Sequence, residues 1–199
     1  MYAVELAKKK RKPSEIITKE VLLNSIMFDM AVAGSTNAVL HLLSYAYELG
    51  IKITLEDFER YAKDIKCINA VVPSGPYTVV DFHYAGGVPN VMKMLESKLY
   101  TDAPSIYGCT WKEVLSKVKA QENKVIHSLE KPLFDQPGLK IMRGNLSPNG
   151  AIVRPTAVYE EVMYLKGKAK VFENDREAFD AIQRGDIVPG DIMVIRYEG

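Results

Sequence analysis

The run Asp29-Met30-Ala31-Val32-Ala33-Gly34-Ser35-Thr36-Asn37-Ala38-Val39-Leu40-His41-Leu42 constrains the fold most, because a few small polar residues cut what would otherwise be one long apolar helix. Gly34 admits a close approach or an unusual backbone angle, and Ser35, Thr36 and Asn37 are residue types whose side-chain oxygens cap a new helix. Two readings follow. These residues break and cap a buried helix pair, or the free N–H groups and positive dipole end of the new helix take up an anion such as a carboxylate.

From Pro13 to about Lys119 the patterning is mostly helical. Pro13 and Ser14 open a run through Ile16, Ile17, Val21 and Leu22, and Asn24 is a cap for a second helix through Ile26, Met27, Met30 and Ala31. Beyond Gly34, the residues Ala38, Val39, Leu42, Leu43, Ala46 and Leu49 recur at helical spacing up to Gly50, a C-terminal stop. Thr54 with Asp57 spells a capping box ahead of Phe58, Tyr61, Ala62 and Ile65. Pro89 suits a first turn before Val91, Met92 and Leu95, and Thr110 caps Trp111 to Val118. Two prolines and a glycine between Lys131 and Gly138 end this pattern. Strand-like runs follow at Leu139–Met142, Ala151–Arg154, Lys168–Phe172 and Ile192–Tyr197, with one helix capped by Asn174 and facing inward through Ala178, Phe179, Ala181 and Ile182. The domain boundary is placed there, giving residues 1–131 and 132–199.

Composition narrows the function classes. A 199-residue chain with 47% hydrophobic residues and a formal net charge of +1 can bury a core and gives no electrostatic reason to expect nucleic acid. The basic run Lys8-Lys9-Lys10-Arg11-Lys12 reads as a solvated lead-in to the first helix. No long apolar span and no secretory leader pattern is present, so no membrane association is expected and a cytoplasmic location is. Cys67 and Cys109 lack the short Cys-x-x-Cys spacing of a metal or cluster site and read as free thiols, buried or half-buried. His41, His83 and His127 have no metal-ligand spacing and no nucleophile motif beside them, so each reads as structural, His127 in a strand-like run. Gly86-Gly87 and Gly144-Asn145 match no phosphate loop and read as turns.

Four motifs in order give a more specific reading. The Gly34-Ser35-Thr36-Asn37 segment is followed by Pro73-Ser74-Gly75-Pro76-Tyr77 leading to Asp81-Phe82-His83-Tyr84-Ala85-Gly86-Gly87-Val88-Pro89. Next come Gly138-Leu139-Lys140-Ile141-Met142-Arg143-Gly144-Asn145-Leu146-Ser147-Pro148-Asn149-Gly150-Ala151 and Val194-Ile195-Arg196-Tyr197-Glu198-Gly199. Together they resemble the dihydroxy-acid dehydratase and phosphogluconate dehydratase family, and Ala38-Val39-Leu40-His41-Leu42 resembles the dihydroxy-acid branch more. Members of that family are considerably longer, so the chain is expected to be an internal piece.

The resemblance implies an α/β to α+β architecture: the mostly helical part of an α/β domain, followed by an incomplete β-barrel-like swivelling domain. An open barrel leaves unpaired edges, and Val194 and Ile195 are expected to be especially exposed. The implied reaction converts a 2,3-dihydroxy acid to a 2-oxo acid by loss of water, in branched-chain amino acid biosynthesis. A sugar-acid dehydratase of the same family, or a non-catalytic remnant or interaction module, stands as the alternative. The family uses an iron–sulfur cluster and a magnesium-type ion. By resemblance the cluster cysteines and the serine base lie outside the matched region, so this chain alone is expected to bind neither cofactor and to be inactive. Glu198 matches a family metal ligand, and Ser35, Thr36 and Asn37 are the candidates for lining the substrate cavity. No catalytic residue is assigned. The expected partners are a small dihydroxy acid and either a second copy in a homodimer or complementing family segments.

Overall fold

Helix α2 (Lys19–Ala31) organises the first of two compact units in the computed structural model, which describes residues 2–198. Its residues Leu22, Leu23, Ile26, Met27, Met30 and Ala31 are buried on several sides at once, as expected of a helix that is apolar around much of its circumference. Thr18 caps it through a hydrogen bond from the Val21 N–H, and Asn24 is no cap: it sits buried in mid-helix. The Asn24 amide donates to the Tyr100 carbonyl at 3.1 Å and accepts from the Tyr100 N–H at 2.9 Å. The preceding sequence also differs from expectation. Tyr2–Lys8 forms a short helix, α1, and Pro13–Glu15 is one turn of 3-10 helix.

Helices α3 (Thr36–Glu48), α4 (Leu55–Ala62) and α6 (Gly87–Met94) pack on α2, and α5 (Val79–Tyr84) and α7 (Trp111–Leu115) pack on α6. The local signals hold where they are self-contained. Thr54 and Asp57 close their capping box, Thr110 accepts from the Glu113 N–H, and Phe58, Ile65, Val91, Met92 and Leu95 are buried. Helix α3 ends at Glu48, with Leu49 as its C-cap and Gly50 in the left-handed region, yet it buries only Val39 and Ala46, while Leu42 and Leu43 pack partly against the core. His127 lies outside any strand and donates its N–H to the Ile68 carbonyl at 2.9 Å.

Strands β1 (Lys140–Met142) and β2 (Ala151–Val153) form an antiparallel pair within the first unit, Met1–Ala157. Ile141 enters the core, and Arg143 forks onto Glu59 and Glu56 of α4 at 3.1 Å each. Gly138 makes this approach possible. A Cβ on it would stand 2.3 Å from the Ala33 Cα and 2.7 Å from the Met30 carbonyl, to which its own N–H donates at 2.8 Å.

The second unit, Val158–Gly199, is a β–α–β arrangement. Strands β3 (Ala169–Phe172) and β4 (Ile192–Ile195) pair in parallel, and α8 (Asp175–Arg184) between them packs on both. Asn174 caps α8 as expected, and Gly185 ends it in the left-handed conformation. The inner face is narrower than the pattern suggests: Ala178 and Ala181 are buried, whereas Phe179 and Ile182 are about half exposed (53% and 48%). Val194 and Ile195 are half-buried, and Met193 is the exposed residue of β4. The described residues thus form a mix of helices with two small two-stranded sheets and no closed barrel.

Candidate functional site

The N-terminus of α3 is assembled from residues that each have a local reason to be there. Ser35 has an extended backbone, and its Oγ accepts from the Asn37 N–H at 3.2 Å, while its carbonyl accepts from Ala38. Among the described residues, the Thr36 N–H and the Asn37 side chain take no protein partner. Ser35 and Asn37 are exposed and Thr36 is half-buried. The three residues therefore meet at one open helix end, where backbone dipoles favour negative charge.

Beneath that end lies an acid that sequence reasoning assigned no role. Asp29, in the last turn of α2, is only 6% exposed, and its Oδ2 is sealed from solvent without a hydrogen-bond partner. Its Oδ1 occupies the space a side chain at Gly34 would need: a Cβ there would be 1.8 Å away. Gly34 is thus required for close approach, and its N–H returns to the Asp29 carbonyl at 3.0 Å. Ala33 between them has φ 48, an uncommon left-handed angle for a residue with a side chain. Burial pushes the Asp29 carboxyl up to about 7, opposed by the positive charge of Arg154. Arg154 follows β2, reaches the Ala33 carbonyl through Nη1 at 3.5 Å, and buries an Nε that has no partner. The sequence signal for this pair was an acid inside an apolar helical run and an arginine following a short apolar strand.

A cavity of about 550 Å³ opens beside this turn, with Phe28, Asp29, His41, Leu42, Met92 and Trp111 among its walls. His41 is its exposed imidazole. His83 is exposed on α5, edge-on to Tyr84, and His127 is half-buried. Cys67 is buried, donates to the Asn69 carbonyl at 3.1 Å, and has its thiol pushed up to about 11 by burial, while Cys109 is half-buried.

Glu198 belongs to the second unit, where its exposed carboxylate accepts from the Asp175 N–H at the start of α8, 3.3 Å away. It is one hard oxygen donor of the type a magnesium ion prefers. No group of three His, Cys, Asp or Glu side chains gathers to hold a metal among the described residues. By donor count, these residues do not by themselves fit a magnesium site or an iron–sulfur cluster.

The family model described as dihydroxy-acid/6-phosphogluconate dehydratase N-terminal matches residues 1–114, and the corresponding C-terminal model matches residues 124–199. A dihydroxy-acid dehydratase of Methanococcus aeolicus is 40% identical over 200 aligned residues, covering 100% of this chain. Those of Clostridium novyi and Ignicoccus hospitalis are each 41% identical, over 98% and 100% of the chain. In each case the match spans 36% of the relative's length. With both halves matched in family order, this chain belongs to the dihydroxy-acid/6-phosphogluconate dehydratase family.

Proposed function

We propose that this chain is the part of a dihydroxy-acid dehydratase that presents the α3 N-terminus to the substrate carboxylate. The reaction removes water from a 2,3-dihydroxy acid to leave a 2-oxo acid, in branched-chain amino acid biosynthesis and in the cytoplasm. The observation that supports it best is identity near 40% across nearly the whole chain to proteins named for that activity.

Within this reading each residue has a limited task. The Thr36 N–H and the Asn37 amide donate to the carboxylate, and Ser35 fixes the helix end that aims them. Glu198 contributes one oxygen to a magnesium-type ion. That ion and the iron–sulfur cluster of the family supply Lewis-acid assistance when bound. The remaining ligands and the proton acceptor come from the rest of the enzyme, so no chemical step is assigned to this chain alone. Residues 1–131 are read as the helical part of the α/β domain and 132–199 as part of a barrel-like domain. The composition change at Lys131–Gly138 and the short strands after it support that division. The assembled enzyme is read as a homodimer.

The test replaces the matched third of the Methanococcus aeolicus enzyme with this chain. The chimera should dehydrate a branched 2,3-dihydroxy acid in preference to a sugar acid, and Asn37→Ala should raise KM about tenfold or more, the loss of a hydrogen bond to a charged group. A folded, cluster-loaded chimera without turnover would overturn the proposal. So would turnover by the purified chain alone.

A further inference from the structure

The buried acid under the α3 N-terminus has two unusual neighbours. Its Oδ1 rests against Gly34, so displacement of the carboxyl is felt directly by the turn that leads into Ser35, Thr36 and Asn37. Arg154, meanwhile, holds the carbonyl of Ala33 in that same turn by a long 3.5 Å hydrogen bond and keeps a buried Nε without a partner. An unmatched acceptor and an unmatched donor are therefore sealed beside one short turn, with no ion pair between them.

Such an arrangement is tolerable only while the acid is neutral. A protonated carboxyl leaves one oxygen unsatisfied at modest expense, but an ionised one at 6% exposure requires a compensating charge. The groups that face it decide which charge responds. Arg154 is the cation acting on it, and His41 and Tyr45 of α3 line the same cavity; α6 and α7 contribute Val88, Met92 and Trp111 there, and none of these three titrates. His41 is exposed and stays hydrated, whereas Arg154 already has a free, desolvated donor.

We propose that Asp29 and Arg154 form a proton-operated latch on the Val32–Ser35 turn: with Asp29 protonated, Arg154 holds the Ala33 carbonyl, and with Asp29 ionised, the guanidinium swings onto Oδ2 and releases it. No bond is made or broken except that of the exchanged proton, which leaves to solvent. The release loosens a turn whose Ala33 sits at positive φ, and it places a carboxylate beneath the positive end of α3. Both effects weaken an anion at that helix end. This last consequence rests on the carboxylate-binding role proposed for α3, but the latch does not.

The experiment is a pH titration of the full chain by two-dimensional amide NMR from pH 5 to 9, with no substrate, read at Gly34, Ser35 and Thr36. These amides should move together with a midpoint near pH 7, the same midpoint as the Asp29 carboxyl carbon. Asp29→Asn should abolish the movement and His41→Gln should keep it. Arg154→Met should raise the midpoint by about one pH unit and shrink the amide displacement at least twofold. Amides that stay still while the Asp29 carboxyl carbon titrates would overturn the latch. A movement that survives Asp29→Asn, or disappears with His41→Gln, would overturn it too. The wild-type carbon titration decides the matter even where a variant does not fold. Failure here leaves substrate binding at α3 untouched, and failure of the chimera leaves the latch standing.

Discussion

The two compact units solve the problem of stability differently. The first packs Ile26, Met27 and Met30 of α2 among fully buried Phe58, Ile68, Leu95 and Ile126, and it affords a buried amide and a buried acid inside that core. The second, from Val158 onward, buries two alanines and leaves Phe179, Ile182, Val171 and Met193 substantially exposed. Its visible supports are a capped helix, four parallel ladder pairings and exposed ion pairs such as Arg196–Glu173 and Arg184–Asp186. Exposed pairs contribute little, and a unit of this size without a sizeable core is marginal. The first unit can therefore hold strain and unmatched polar atoms near its functional turn, and the second has no reserve for either.

Four measurements test the contrast between the two units. The largest effect is on pH dependence. A carboxyl raised to about 7 in the folded state binds its proton more tightly there than in the unfolded chain. The stabilisation is complete below about pH 4 and is lost as pH rises through about 7, a difference on the order of 4 kcal/mol. Urea titrations should show the first unit losing stability across that window, and Asp29→Asn should flatten the profile. Next, Gly138→Ala drives a methyl into the backbone of Ala33 and should remove roughly 3 kcal/mol from the same transition. Asn24→Ala strands both backbone groups of Tyr100 and should remove about 2 kcal/mol. Smallest is Asn174→Ala, which deletes the α8 cap at about 1 kcal/mol. That loss should appear in a separate transition at lower urea, followed by the amide NMR signals of α8, β3 and β4. A single shared transition, or a cap effect as large as that of Gly138→Ala, would remove the distinction.

What could be read from the sequence follows the range of the interactions. Caps at Thr54, Thr110 and Asn174 and the stop at Gly50 depend on neighbours a few residues away, and all form close to where the pattern places them; the four short strands do so too, though their partners lie farther along the chain. The helix end carrying Ser35, Thr36 and Asn37 was legible for the same reason. Asn24 misled because an asparagine ahead of an apolar run has the same local signature whether it caps a helix or clamps a distant backbone. Phe179 and Ile182 have the spacing of an inner face, but spacing says nothing of whether a second layer covers them. Asp29 and Arg154 escaped because neither carries a motif; their chemistry arises from burial beside the same turn.

The Asn24 clamp has one more consequence. An amide that satisfies a carbonyl and an N–H of the same distant residue fits at only one rotation of its helix about the long axis. A slip of α2 by one position would swing that amide roughly 100° around the axis and abandon both groups in an apolar surround. Hydrophobic packing alone tolerates such slips in a helix greasy on several sides. The clamp indexes α2 like a keyway on a shaft, and every side chain at its C-terminal turn inherits that angular setting.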